Sequence, residues 1–126
     1  MKATVEQLAS ISIFAQVPPN QLASLQPHAV IQTYHVGEIV SHEGDRLVPG
    51  LYALLRGSLR VSKLATSGKE TILRTLTSGD IFAAPALFGN GMAPATVTAE
   101  SEVEVLMVDR GALLAVIRHS AGCSGN

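Results

Sequence analysis

The sequence predicts a mainly β chain, an antiparallel β-roll of the jelly-roll kind flanked by short N-terminal and C-terminal helices. Three observations carry this. Gly37, Gly44, Gly50, Gly57, Gly68, Gly79 and Gly89 cut the chain from residue 29 onward into pieces of strand length. The pieces between them are rich in β-branched and apolar residues, as short strands are. Apolar residues at helical spacing occur only towards the two ends.

Val5, Leu8 and Ala9 fall on one face of a short helix. Ile13-Phe14 and Pro18-Pro19-Asn20 follow, and Leu22 and Leu25 open a second short helix that Pro27 ends. Strands are expected at 29–36, 38–42, 51–55, 58–64, 70–76, 95–99 and 103–108. Simple alternation along 70–76 puts Ile72, Arg74 and Leu76 on one side and Thr71, Leu73 and Thr75 on the other. Ser67-Gly68-Lys69 marks a hairpin. Asp109 suits the cap of a last helix reaching Arg118, with Leu113, Leu114, Val116 and Ile117 as its apolar stripe. The tail beyond it, SAGCSGN, is too small and polar to pack. The chain thus divides into a helical segment (1–28), the roll (29–109) and a short helix with a flexible tail (110–126).

At 126 residues the chain is one domain, and 47% hydrophobic with 15% charged residues describes a folded one. A net charge of −1 gives no general attraction to nucleic acid or a membrane surface. Cys123 is the single cysteine, so neither a disulfide framework nor a cysteine metal cluster is expected. No stretch has the form of a signal peptide or approaches about 20 apolar residues. A cytoplasmic protein without membrane contact is expected.

Seven short elements occur in order: Phe14, Gly37-Glu38, Gly44-Asp45, Leu51-Tyr52, Gly57-Ser58-Leu59-Arg60-Val61, Gly68-Lys69-Glu70 and Gly79-Asp80. After them, residues 79–99 read GDIFAAPALFGNGMAPATVTA. Over roughly residues 10 to 118 the chain resembles the cyclic nucleotide-binding superfamily, and within it bacterial regulators similar to catabolite activator protein and the fumarate–nitrate regulator. The resemblance implies an effector-sensing domain rather than an enzyme, with no resident cofactor and a phosphate-binding cassette at 79–99. It also implies a short helix near Ala84 to Phe88. The site it points to comprises Phe82, Ala83, Ala84, Pro85, Ala86, Leu87, Ala93, Pro94, Ala95 and Thr96.

Two departures weaken that site. Where the family carries Gly-Glu this sequence has Ala83-Ala84, and where it carries Arg followed by Ser or Thr it has Ala93-Pro94. In the family the arginine meets the cyclic phosphate and the glutamate accepts a hydrogen bond from the ribose 2′-hydroxyl. Burying a phosphate with no counter-charge costs several kcal/mol, and each lost charge-assisted hydrogen bond removes about 1.5–3 kcal/mol. A degenerate cassette that does not take cyclic AMP in the family manner is therefore expected. Backbone N–H groups near Ala84 to Phe88 could still favour an anion, less the donor that Pro85 lacks. Arg60 or Arg74 on neighbouring strands could supply a cation.

The small side chains from Ala83 to Leu87 and at Ala93 and Pro94 also read as an apolar effector pocket, or as a cavity closed by Phe82, Leu87, Phe88 and Met92. The effector's identity is not legible. In the related regulators a long dimerisation helix and a helix-turn-helix follow the roll. The sequence ends before either, so no DNA binding by this chain alone is expected, and a homodimer would lack that helix. A stand-alone ligand-binding module and a ligand-free interaction domain pairing through its last helix are the alternatives.

His28, His35, His42 and His119 have no metal-ligand spacing, although His35 and His42 could approach across a turn. Ser41, His42 and Asp45 supply the residue types of a hydrolytic triad without a nucleophile elbow. Glu43 and Asp80 read as polar loop residues beside turn glycines. No catalytic residue and no metal site are expected.

Overall fold

The computed structural model describes residues 2–11, 14–83 and 89–124. Two short helices, α1 (Val5–Ala9) and α2 (Pro19–Leu25), and a 3-10 turn (Gln26–His28) lead into the strands. These are β1 (Ala29–Tyr34), β2 (Ile39–Ser41), β3 (Gly50–Arg56), β4 (Leu59–Leu64), β5 (Glu70–Leu76), β6 (Ile81–Phe82), β7 (Thr96–Ala99) and β8 (Val103–Asp109), followed by helix α3 (Arg110–Ser124). They form two antiparallel four-stranded sheets, ordered β1-β8-β3-β6 and β2-β7-β4-β5. The chain is thus the mainly antiparallel β-roll that its glycine rhythm predicts.

Side-chain alternation divides the interior into two cores. Leu51 and Ala53 of β3, with Leu106 and Val108 of β8, meet Leu8, Leu22, Leu25 and Leu113 of the helices. Residues of the opposite alternation on the same strands, Leu54, Val103 and Val105, turn the other way and meet Leu59, Leu76 and Val97 of the second sheet. The first sheet is therefore a middle layer, with helices on one face and the second sheet on the other.

The helix starts are set locally. Thr4 accepts from the Gln7 N–H at 3.1 Å while Gln7 accepts from the Thr4 N–H at 2.9 Å, a reciprocal capping box for α1. Pro19 opens α2, where its missing N–H costs nothing. Asp109 caps α3 by accepting from the Ala112 N–H at 3.0 Å, as its sequence position predicts.

Three turns share one device. In His35 to Glu38, His42 to Asp45 and Thr77 to Asp80, the fourth residue's N–H donates to the first residue's carbonyl, and its carboxylate accepts from the first residue's N–H. The third residue of each turn is a glycine with φ between +86° and +97°. Glu38, Asp45 and Asp80 thus close turns. Glu43 instead donates its N–H to Thr96 Oγ1 at 3.0 Å.

The structure corrects two expectations. β5 does not alternate simply: Val61 faces Arg74, but Ser62 faces Ile72, which leaves Leu73 as the extra residue of a β-bulge. Ile72 thereby leaves the face that Arg74 and Leu76 share. The last helix runs to Ser124 rather than ending at Arg118, because the segment contains no proline and a single helical glycine costs only about 1 kcal/mol. Its apolar stripe also divides, with Leu113 and Val116 buried and Leu114 and Ile117 exposed. Among the described residues no helix is long and apolar enough to cross a membrane.

Candidate functional site

The residue types expected at the site come together only where two loops cross the second sheet. Residues 91–96 are laced to residues 43–47: Gly44 N–H donates to the Ala93 carbonyl and Ala93 N–H to the Asp45 carbonyl, both at 2.8 Å. Leu47 N–H reaches the Gly91 carbonyl at 2.7 Å. This lacing holds Ala93 and Ala95, each 4% exposed, over the inner face of β4 and β7. β6, only two residues long and paired to Tyr52 and Ala53 of β3, brings Phe82 and Ala83 to the same place.

Between these pieces lies a cleft of about 300 Å³. Its walls are Val61, Leu73, Leu76 and Val97 from the second sheet, Ile81 and Phe82 from β6, and Ala83, Ala93, Pro94 and Ala95 outside the strands. Of the expected site residues, Phe82, Ala83, Ala93, Pro94 and Ala95 line it. Thr96 does not, because its hydroxyl is held by Glu43. Ala84, Pro85, Ala86 and Leu87, with the expected short helix and Phe88, lie outside the described residues. Met92, expected to help close the cavity, is 43% exposed.

Ala83 has φ +58°, the only positive value among the described non-glycine residues. That conformation costs an alanine roughly 1 kcal/mol and a glycine almost nothing. It explains in physical terms why a glycine belongs at this step of the family motif.

The electrostatics are one-sided. Lys63 and Arg74 are exposed and line the cleft with Ser41, while no carboxylate does. Among the described residues neither cation has an ion-pair partner. Lys63 was not expected at the site, yet the alternation Leu59, Val61, Lys63 along β4 carries the signal. Arg60, the other cation considered from sequence, faces away. Its Nε lies 3.4 Å from Glu70 Oε2 and its Nη1 3.8 Å from Glu100 Oε2, on the outer face of the sheet. The Nε is buried without a well-aligned hydrogen bond, so its attraction to Glu70 is coulombic. Ser62 donates to the same Glu70 carboxylate at 2.7 Å.

A second cavity, of about 230 Å³, lies on the other side of Phe82 and Ala83 and is walled by Tyr34, Tyr52, Val105 and Met107. Burial pushes the Tyr34 and Tyr52 phenols above their ordinary value, with the Glu38 carboxylate adding to the effect at Tyr34 and Tyr34 itself adding to it at Tyr52. Tyr34 donates to Gln32 at 2.7 Å and Tyr52 to the Val48 carbonyl at 2.9 Å.

His35 and His42 each sit beside a different carboxylate. His35 Nδ1 lies 3.5 Å from Glu102 and His42 Nδ1 3.6 Å from Asp45. Among the described residues no three His, Cys, Asp or Glu side chains are placed to hold a metal ion.

Residues 31–120 match the family model described as the cyclic nucleotide-binding domain. The chain is 30% identical over 110 residues to the CRP-like cAMP-activated global transcriptional regulator of Mycobacterium tuberculosis, covering 86% of this chain and 48% of that protein. It therefore spans about half the length of the curated relatives it matches. The N-terminal domain of a transcriptional regulator from Streptomyces coelicolor A3(2) superposes with a TM-score of 0.75 at 25% identity, covering 94% of this chain and 82% of that one. The catabolite activator protein of Thermus thermophilus gives 0.71 at 26% identity, covering 85% and 50%. The roll, its ordered Gly-acid turns and these likenesses agree: the chain belongs to the cyclic nucleotide-binding domain family, in its CRP/FNR-like branch.

Proposed function

We propose that this chain is the effector-sensing domain of a CRP/FNR-like transcription regulator whose cassette no longer holds cyclic AMP in the family manner. In this reading it is cytoplasmic and not an enzyme, it answers to a small molecule, and it does not contact DNA by itself. The supporting observation is Ala93. It stands where the family carries the phosphate-binding arginine, is almost fully buried and turns to the cleft. Its N–H is already given to Asp45 and Pro94 has none, so these two residues offer a phosphate neither charge nor donor.

Calorimetric titration with cyclic AMP and cyclic GMP tests the reading. The expected result is no saturation at micromolar ligand, and clear saturation there would overturn it. Restoring the family residues with Ala84→Glu and Ala93→Arg together is expected to create measurable cyclic AMP binding.

A second reading is favoured by Leu114 and Ile117, which are 37% and 44% exposed on α3. Two copies would pair through that helix. Sedimentation of the chain across a concentration range is expected to show a dimer in that case, and a strict monomer at high concentration removes it.

A further inference from the structure

We infer that the cleft takes a small amphipathic carboxylate, its apolar body against Ala93 and Pro94 and its anionic head at the mouth between Lys63 and Arg74. This rests on the reading that the cassette no longer serves cyclic nucleotides, and it names what would replace them.

Among the described residues the cleft's lining is apolar except for Ser41, Lys63 and Arg74. The apolar part includes Val61, Leu76, Phe82, Val97 and the buried Ala93, with the exposed Pro94 beside them, and Ala93 and Pro94 add neither a charge nor a free N–H. A ribose or a cyclic phosphate placed against Ala93 and Pro94 would lose its hydrogen bonds to water and gain none from these two residues, at about 1–3 kcal/mol for each neutral group and more for the charge. A hydrocarbon body suffers no such loss.

The charge that lines the cleft is carried by exposed side chains, Lys63 and Arg74. The β5 bulge carries Leu73 and Arg74 to the cleft together, and alternation along β4 carries Lys63 there. Among the described residues no acidic side chain lines the cleft, and the acid on β5, Glu70, is held on the opposite face by Arg60 and Ser62. Two cations without a carboxylate partner make the mouth positive. An arginine accepts a carboxylate on two parallel N–H groups, which fixes the head group's orientation as a lysine alone does not. The volume of about 300 Å³ lies at the small end of ligand pockets, about 300–1,000 Å³. It suits a short aliphatic or single-ring acid rather than a long-chain lipid.

The experiment titrates the full chain by calorimetry with octanoate and 3-phenylpropionate, with their neutral amides, and with cyclic AMP. The expected result is saturable binding of at least one acid, with its amide weaker by about tenfold or more. Lys63→Met and Arg74→Met should each weaken the acid by several-fold to tenfold and leave the amide unchanged, while Arg60→Met, on the outer face, leaves both unchanged. Thermal melting of each variant checks that it folds; both cations are exposed, so no loss of fold is expected. Chemical-shift mapping should place the acid against Val61, Leu76 and Ala93. Equal binding of acid and amide, no binding of either acid, an unchanged acid affinity in folded Lys63→Met and Arg74→Met, or mapping to another surface would each overturn the inference. Saturation by cyclic AMP instead overturns the disabled-cassette reading on which it rests. Silence from every acid with cyclic AMP also silent overturns this inference alone.

Discussion

Ala83 is an alanine held in a backbone conformation that suits glycine. Its φ of +58°, just after β6, is one that glycine adopts without strain, so Ala83→Gly is expected to stabilise the chain by up to about 1 kcal/mol. Urea unfolding would show this as a raised midpoint at unchanged slope. Gly57 is the opposite case. It has φ +91°, and a Cβ there would run into the Glu102 carbonyl and lie 2.7 Å from both Ser101 and Val103 side-chain atoms. Gly57→Ala should therefore destabilise by about 2 kcal/mol or more in the same assay. The three Gly-acid turns were legible as motifs, because the dipeptide itself supplies both the positive φ and the closing carboxylate. Arg60 and Arg74 were not separable at this scale. Each is an arginine in a strand, and only the pairing of their strands shows which faces the cleft.

Among the elements, β5 departs furthest from its sequence pattern. Alternation is a reliable guide only in a regular strand, and nothing in ETILRTL marks Leu73 as the extra residue. The register makes a sharp prediction. Deleting Leu73 leaves Arg74 opposite Val61 and Ile72 opposite Ser62, so the variant should fold with a change below about 1 kcal/mol, typical of a site outside the core. Were β5 regular, the same deletion would turn residues 70–72 to the other face. Denaturant melts with cross-strand contacts read by nuclear magnetic resonance distinguish the two. α3 was foreseen from its cap and from Leu113 and Val116, while its further length was not, since its last turns carry no apolar period to read. Leu113, fully buried against the first sheet, is expected to cost about 2–5 kcal/mol on truncation to alanine in a thermal melt. β6 escaped notice because two residues cannot display a period.

For the molecule as a whole, the two cores share one sheet, so the helices and the roll should unfold together. Tyr34 and Tyr52 border the inner core, and both phenols lie above their ordinary value of 10.0 chiefly through burial. A raised phenol favours the neutral form in the folded state. Its contribution is whole below pH 10 and is lost as the pH climbs through that value and beyond, where the unfolded chain ionises first. Stability is expected to fall on that alkaline limb, and a Tyr34→Phe, Tyr52→Phe double variant should flatten it in melts recorded from pH 8 to about 11. The roll was legible at this scale because spacing glycines and alternation are properties of short segments. The cleft was only half legible: its apolar wall follows from Ala83, Ala93 and Pro94, but its cationic mouth depends on two strands meeting in a particular register. That mouth has a further consequence. Charges open to solvent are screened over about 8 Å at physiological ionic strength, whereas a guanidinium sunk in a protein floor is largely shielded from dissolved ions. Because its positive charge sits on exposed side chains, the anion capture proposed above is expected to weaken as the ionic strength of the surroundings rises.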